Sequence, residues 1–385
     1  MKGKKSKGKK SSTAPALVTG KSAGTLMVHL HAERKFYLLV LVLLSLCAAL
    51  SPYPQLAMWL GFMLAGYSAV ANDSIQTIGT FISSNHRYPW YYLWLYIGSL
   101  FVVAIVVSWS LYDGDVSYQR LQSKGLTESP TEFSFLQLTS PLMLLVITRL
   151  RIPVSTTFML LTSFSGTLGT VTGMLQKSVS GYFIAFFIAL LIWWLLSKPL
   201  RWLQRGEASH IWTGFQWITS GTLWYLWIAQ DAANVAVFLP RSLSVEQLIF
   251  FCAFIFAGLA LLFYLRGDKI QNVVDEKSDV TDVRAATMID LVYAAVLFWF
   301  TLVNTVPMST TWAFIGLFAG REIGMTLSGY HGEVRWKKTF RLIGKDILMV
   351  GIGLLVSILL AITVNATIRK DILDLWAEHL SPLLF

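Results

Sequence analysis

Charge is what this sequence has least of. Only 14% of its 385 residues are Asp, Glu, Lys or Arg, against about 25% in an ordinary soluble domain. A water-soluble protein of that length needs far more charge to cover its surface. The shortage excludes a soluble enzyme, a nucleic-acid-binding domain and a disordered chain. Cysteine is nearly absent too: Cys47 and Cys252 both lie in apolar stretches, which excludes a disulfide framework or thiolate metal centre and leaves two small packing groups. The six histidines are scattered without metal-ligand spacing. No acidic residue precedes Glu33.

Apolar residues fill the gap. They make up 55% of the chain, and 15 tryptophans stand among the aromatics, the composition of an all-α polytopic membrane protein. The net charge of +10 is concentrated at one end, where Lys2, Lys4, Lys5, Lys7, Lys9, Lys10 and Lys21 occur without a counter-charge. Residues 1–35 therefore read as a basic cytoplasmic tail facing anionic membrane lipids, with no nucleic-acid partner. The run Gly3–Ser11 approaches a phosphate-binding loop, but Lys10 takes the hydroxyl position and no strand–helix frame surrounds it.

Apolar runs of helical length occupy 36–50, 56–80, 90–111, 180–197, 212–238, 247–265 and 345–367. The first begins too late for a signal peptide and reads as an extra N-terminal transmembrane helix, 36–55. Two longer regions, 134–175 and 286–327, are each broken by a proline inside Pro153-Val-Ser-Thr-Thr157 and Pro307-Met-Ser-Thr-Thr311. Arms of about 14 to 18 residues fall short of a full span of about 20, so these regions predict two re-entrant helical hairpins with hydroxyl-rich tips. With the tail inside, the basic loops 198–210 and 331–345 also fall inside, and the net-acidic segment 112–133 falls outside. Span, span, hairpin, span then occurs twice with opposite orientation: an inverted-topology repeat over 56–198 and 211–367, followed by an interfacial tail at 368–385.

The repeat is visible in residues. Ala71-Asn72-Asp73-Ser74-Ile75-Gln76 matches Ala229-Gln230-Asp231-Ala232-Ala233-Asn234, with the two amide types exchanged. The aspartates are 158 residues apart and the Ser-Thr-Thr triplets, at Ser155 and Ser309, are 154 apart. In these four motifs the sequence resembles the inorganic phosphate transporter (PiT) family, whose halves each carry a Gly-Ala-Asn-Asp-type signature and a Pro-Val-Ser-Thr-Thr hairpin tip. Ala71-Asn72-Asp73, with Gly79-Thr80 after it, looks like the first signature; Gln230-Asp231-Ala232-Ala233-Asn234 looks like the second. The likeness covers roughly 56–330. Phe158 and Trp312 follow the triplets where the family often has His, Val70 stands for the leading glycine, and Gln230 for an asparagine.

An ionised Asp at a helix centre costs roughly 2.5–3.5 kcal/mol on insertion scales, so Asp73 and Asp231 need a purpose at membrane depth. Together with Asn72 and Gln76 they are the candidate ligands of Na⁺, a hard cation that takes oxygen donors. An oxyanion takes donors instead: Asn72, Thr80, Ser155, Thr156, Thr157, Gln230, Asn234, Ser309, Thr310 and Thr311 are its candidate contacts, beside half-helix N-termini. Carboxylates repel an anion until cations or protons neutralise them, which makes symport with Na⁺ or H⁺ the natural mechanism. The expected function is cation-coupled phosphate symport by alternating access in the cell membrane, with the N-terminus cytoplasmic and no organic cofactor. Sulfate or another oxyanion on the same fold is the open alternative, and a non-transporting membrane scaffold is another. No nucleophile–base pair or cofactor fingerprint suggests an enzyme. A second copy of the chain is an open partner.

Each island also has a blander reading. The aspartates can cap broken helices, the amides can join helices, and the hydroxyl triplets can satisfy backbone. Arg149 and Arg151 precede the first tip and either attract the anion or snorkel. Asp290 is a lesser candidate for a proton relay, and the Trp and Tyr clusters read as interfacial belts.

Overall fold

A computed structural model describes residues 33–122, 125–149, 154–265, 282–303, 305–329, 336–375 and 377. The lysine tail, Arg151, Pro153 and Arg335 lie outside the described residues. The chain divides into a first unit, Met1–Ser45, and a second, Leu46–Phe385. Helix α1 (Arg34–Leu50) spans the boundary, and everything below concerns the second unit.

Among the described residues the secondary structure is helical, with no strand. α2 (Pro54–Ser68) starts with proline in its first turn, where the missing N–H costs nothing. It passes through a π turn, Ala69–Asp73, into α3 (Ser74–Ser84). α4 (Trp90–Leu111) follows. α5 (Phe135–Arg149) and a short arm formed by a π turn, Thr157–Leu161, and Thr162–Phe164 make the first broken segment. α6 (Leu168–Leu203), α7 (His210–Ala236) and α8 (Val245–Tyr264) come next. α9 (Val283–Val303) and α10 (Thr310–Leu327) make the second broken segment. α11 (Trp336–Val364) and α12 (Ala366–Leu375) close the chain. Side-chain caps mark several starts: Ser244 and Gln247 form a capping box on α8, and Ser209 and Thr167 cap α7 and α6.

Five of these helices are long and apolar enough to cross a membrane: α4, α6, α8, α9 and Thr339–Val364 of α11. Large apolar side chains such as Phe187, Leu191, Ile249, Trp299, Leu348 and Leu359 point outward, the reverse of a water-soluble surface. The all-α polytopic membrane fold expected from the sequence is the one observed.

Two expected boundaries move. The first hairpin was expected to run to 175, but its second arm ends at Phe164. Thr167 Oγ1 then accepts the Thr170 backbone N–H at 3.3 Å and starts α6, a 36-residue helix where 180–197 was expected. A local cap decided this boundary, and hydropathy does not register caps. The second hairpin's arms are 21 and 18 residues. The first of them is long enough to span, so the short-arm argument does not hold for it.

Packing sets where the broken segments sit. α9 lies along α7, with Ser220 against Asp290 and Gln230 against Thr301, so the two run parallel. α10 runs parallel to α6 through Gly316, Gly320 and Gly324. A Cβ on these would fall 2.3 Å from Tyr182 O, 2.0 Å from Phe186 O and 2.7 Å from Leu190 O. This is the small-residue spacing that lets helix backbones approach in membranes. The matching pairs in the other half are α2 with α5, and α11 with the short arm. α3 meets α7 in opposite direction, Asn85 on Gln216 at one end and Asp73 near Asp231 at the other. At the α6 end, Arg284 donates to the carbonyls of Leu203, Gln204 and Gly206 at 2.8, 2.9 and 3.1 Å, supplying partners that a helix C-terminus lacks.

Candidate functional site

The site forms where the two breaks reach the two aspartates. Asp73 ends the π turn between α2 and α3, and π turns in α-helices concentrate at functional positions. Asp231 instead sits in the unbroken α7. Both are buried, at 2% and 4% exposure, and they lie within electrostatic reach of each other. Each takes the middle hydroxyl of its own half's triplet. Thr156 donates to Asp73 Oδ2, and Thr310 to Asp231 Oδ2 at 2.5 Å. Each also takes a neighbouring amide: Asn72 donates to Asp73 Oδ1 at 2.8 Å and Asn234 to Asp231 Oδ1 at 2.7 Å.

The third hydroxyls cross between halves. Thr157 is 3.0 Å from Met308 O and a long 3.5 Å from Asp231 Oδ1. Gln76 Nε2 reaches Thr311 Oγ1 at 3.2 Å. The residues after the triplets, Phe158 and Trp312, meet with ring centroids 5.5 Å apart. The tips of the two hairpins therefore touch, and between them stand two carboxylates with only neutral donors. Neither carboxylate makes an ion pair among the described residues.

Other expected residues play quieter parts. Ser155 and Ser309 turn inward and accept the backbone N–H of Phe158 and Trp312, capping the arms that follow. Gln230 donates through Nε2 to Thr301 at 2.8 Å. Thr80 does not join the aspartate pair; it donates to Asp290 at 2.7 Å in a separate buried network with Ser220. Three amide oxygens of the paired islands, Gln76 Oε1, Gln230 Oε1 and Asn234 Oδ1, are buried and accept no hydrogen bond among the described residues. Buried acceptors without donors are rare.

Among solved structures, the chain is similar to a sodium-dependent phosphate transporter, with a TM-score of 0.52 and 19% identity, over 84% of this chain and 99% of that one. The likeness is one of fold. No family model and no curated protein matches.

That fold likeness agrees with the resemblance the four motifs carry. Sequence reading passed over several residues that shape the site. Lys177 Nζ donates to Val306 O at 2.6 Å, and its neighbour Ser178 accepts the Ser309 N–H at 2.8 Å, so α6 holds the second tip from one side. Tyr293 OH donates to Thr310 O at 2.9 Å and holds it from another. Arg120, 1% exposed, donates to Ala229 O at 3.2 Å, two residues before Asp231. A lone lysine in an apolar helix was the available signal for Lys177; it lay in the gap between the expected hairpin, 134–175, and the expected span, 180–197. Arg120 was counted only as one charge in an acidic loop.

Proposed function

We infer that this chain is a cation-coupled symporter of inorganic phosphate, a divergent member of the phosphate transporter family it resembles, working by alternating access around the aspartate–hairpin site. One observation carries the reading: the same two sequence islands hold three buried amide oxygens without donors and two buried carboxylates without ion pairs among the described residues. Oxygen acceptors in excess of donors suit a hard cation, and Na⁺ is the coupling ion of choice because amide and hydroxyl oxygens surround the carboxylates. Asp73, Asp231, Gln76, Gln230 and Asn234 supply the cation's oxygens. With that charge neutralised, the hydroxyls of Thr156, Thr157, Thr310 and Thr311 and the positive end of α10 are left to receive an oxyanion. The cation thus makes the anion site habitable, which is the physical basis of coupling. The tips belong to hairpins from both halves, so opening to either side requires only that one half move against the other.

The basic segments support a cytoplasmic N-terminus and a cell-membrane location, exposed to anionic lipid. The test is uptake of radiolabelled phosphate into proteoliposomes holding the full chain. An inward Na⁺ gradient should drive accumulation, K⁺ in its place should not, and unlabelled sulfate should compete poorly. Uptake that is absent under both Na⁺ and proton gradients, or that ignores both, defeats the reading.

A further inference from the structure

Two buried cations flank the site, and the symport reading above gives them no part. Arg120 is 1% exposed and Lys177 is 7% exposed. Arg120 comes from the loop between α4 and α5 and ties itself to Ala229 O on α7. Lys177 comes from α6 and ties itself to Val306 O, just before the second hairpin tip. The two are within electrostatic reach of each other, and Arg120 is within reach of Asp231. A guanidinium keeps its charge at any working pH.

The loop holding Arg120 is built at a conformational cost. Tyr118 and Gln119, immediately before it, both have left-handed backbone, with φ of 53° and 59°. Side-chain-bearing residues avoid that region, and such strain persists only where surrounding structure over-determines it. Here Asp115 does so: its Oδ1 and Oδ2 accept the N–H groups of Ser117 and Gln119 at 2.7 and 2.9 Å. Tyr118 OH is held by Ala104 O and Tyr225 OH at 2.6 and 3.0 Å. Two consecutive strained residues, each braced separately, turn the chain so that a guanidinium is buried against α7 at Ala229, two residues before Asp231.

We propose that Arg120 and Lys177 are the fixed cationic half of the anion site, with Arg120 offsetting part of the charge of Asp231, and that together they set the affinity for phosphate. The proposal rests on the symport reading. It adds that charge neutralisation is shared: resident cations carry part of it, and transported cations carry the rest. It follows that the wild-type protein binds phosphate weakly even without Na⁺, and that Na⁺ strengthens that binding without creating it.

The experiment uses the full chain. Phosphate binding is measured calorimetrically with and without Na⁺, and labelled phosphate uptake is measured for Arg120→Gln, Lys177→Gln, Arg120→Lys and Lys177→Arg. Each neutral variant should raise the phosphate KM about tenfold or more, as loss of a buried charge partner does, while kcat falls much less. It should also raise the Na⁺ concentration needed for half-maximal uptake. The charge-keeping variants should recover most of the KM. Lowered kcat at unchanged KM, or charge-keeping variants as impaired as the neutral ones, would make these residues mere braces of the tips and overturn the proposal. Wild-type phosphate binding that is strictly absent without Na⁺ overturns it too, whatever the variants do. Wild-type protein that neither binds nor carries phosphate under any gradient overturns the symport reading itself, a separate result.

Discussion

Replacing Asp231 by Asn separates the functional role of the buried carboxylate from a structural one, because the two roles predict opposite signs. The side chain accepts three hydrogen bonds, from Asn234 at 2.7 Å, Thr310 at 2.5 Å and Thr157 at 3.5 Å. An asparagine oxygen in the Oδ1 position keeps the first and third. Its amide faces Thr310, whose hydroxyl can rotate and accept. No hydrogen bond need be lost. The substitution also removes a charge that is 4% exposed and makes no ion pair among the described residues; Arg120 attracts it only from a distance, and the cost of burying the charge outweighs that attraction. Stability should therefore hold or rise. A bound cation fares differently. Unit charges about 4 Å apart attract by about 4 kcal/mol at an effective dielectric constant near 20, and an amide dipole keeps about half of that. About 2 kcal/mol lost is about thirtyfold weaker cation binding. The assay pairs the Na⁺ dependence of phosphate uptake with thermal unfolding in the same detergent. Na⁺ half-saturation should rise by more than an order of magnitude at equal or higher melting temperature. Undiminished Na⁺ dependence, or a clear fall in melting temperature, would refute the reasoning.

Gly320→Ala places a Cβ 2.0 Å from Phe186 O; the α6–α10 pair must part, at about 1–3 kcal/mol for an overpacked site, and the melting temperature should fall. At an exposed helical position the same change would stabilise by about 0.5–1 kcal/mol, so the sign alone is diagnostic. Asp282 pairs with Arg284 at 2.6 Å. Burial pushes its carboxyl up, but the hydrogen bonds and charge of Arg284 outweigh this and hold it below the ordinary aspartate range. The clamp on the α6 end is therefore fully present above the ordinary aspartate pKa and is lost as pH falls through the lowered one. Acid unfolding of the wild type and of Asp282→Asn should converge at low pH and differ at neutral pH; equal separation at all pH values would count against the clamp.

How much was legible varied with how local the signal was. Helix existence followed hydropathy, and α4 matches the expected 90–111 run in full. The start of α6 was missed because one threonine cap, Thr167, outweighed the apolar continuity around it. The motif islands were visible as polar residues in apolar surroundings, but Thr80 belonged to a different network, joined to Asp290 instead of Asp73. Its position two turns past Asp73 on a regular helix puts it on the same face but about 10 Å farther along the axis, and only the lie of α9 decides what it meets there. The two signatures also read alike, yet one folds into a π turn and the other into regular helix.

By itself, the sequence determined the solvent of this protein and its inventory: apolar helices for a bilayer, two breaks, and four polar islands that cannot stay unpaired in hydrocarbon. Those are consequences of composition and short-range periodicity, which a chain carries before it folds. Tertiary structure decided the partnerships. That Thr157 crosses toward Asp231, that Gln76 finds Thr311, and that Arg120 enters beside α7 depend on helix register and crossing between segments tens to hundreds of residues apart. Packing of small residues such as Gly316 and Gly320 sets that register, and no local pattern encodes which helix they will face.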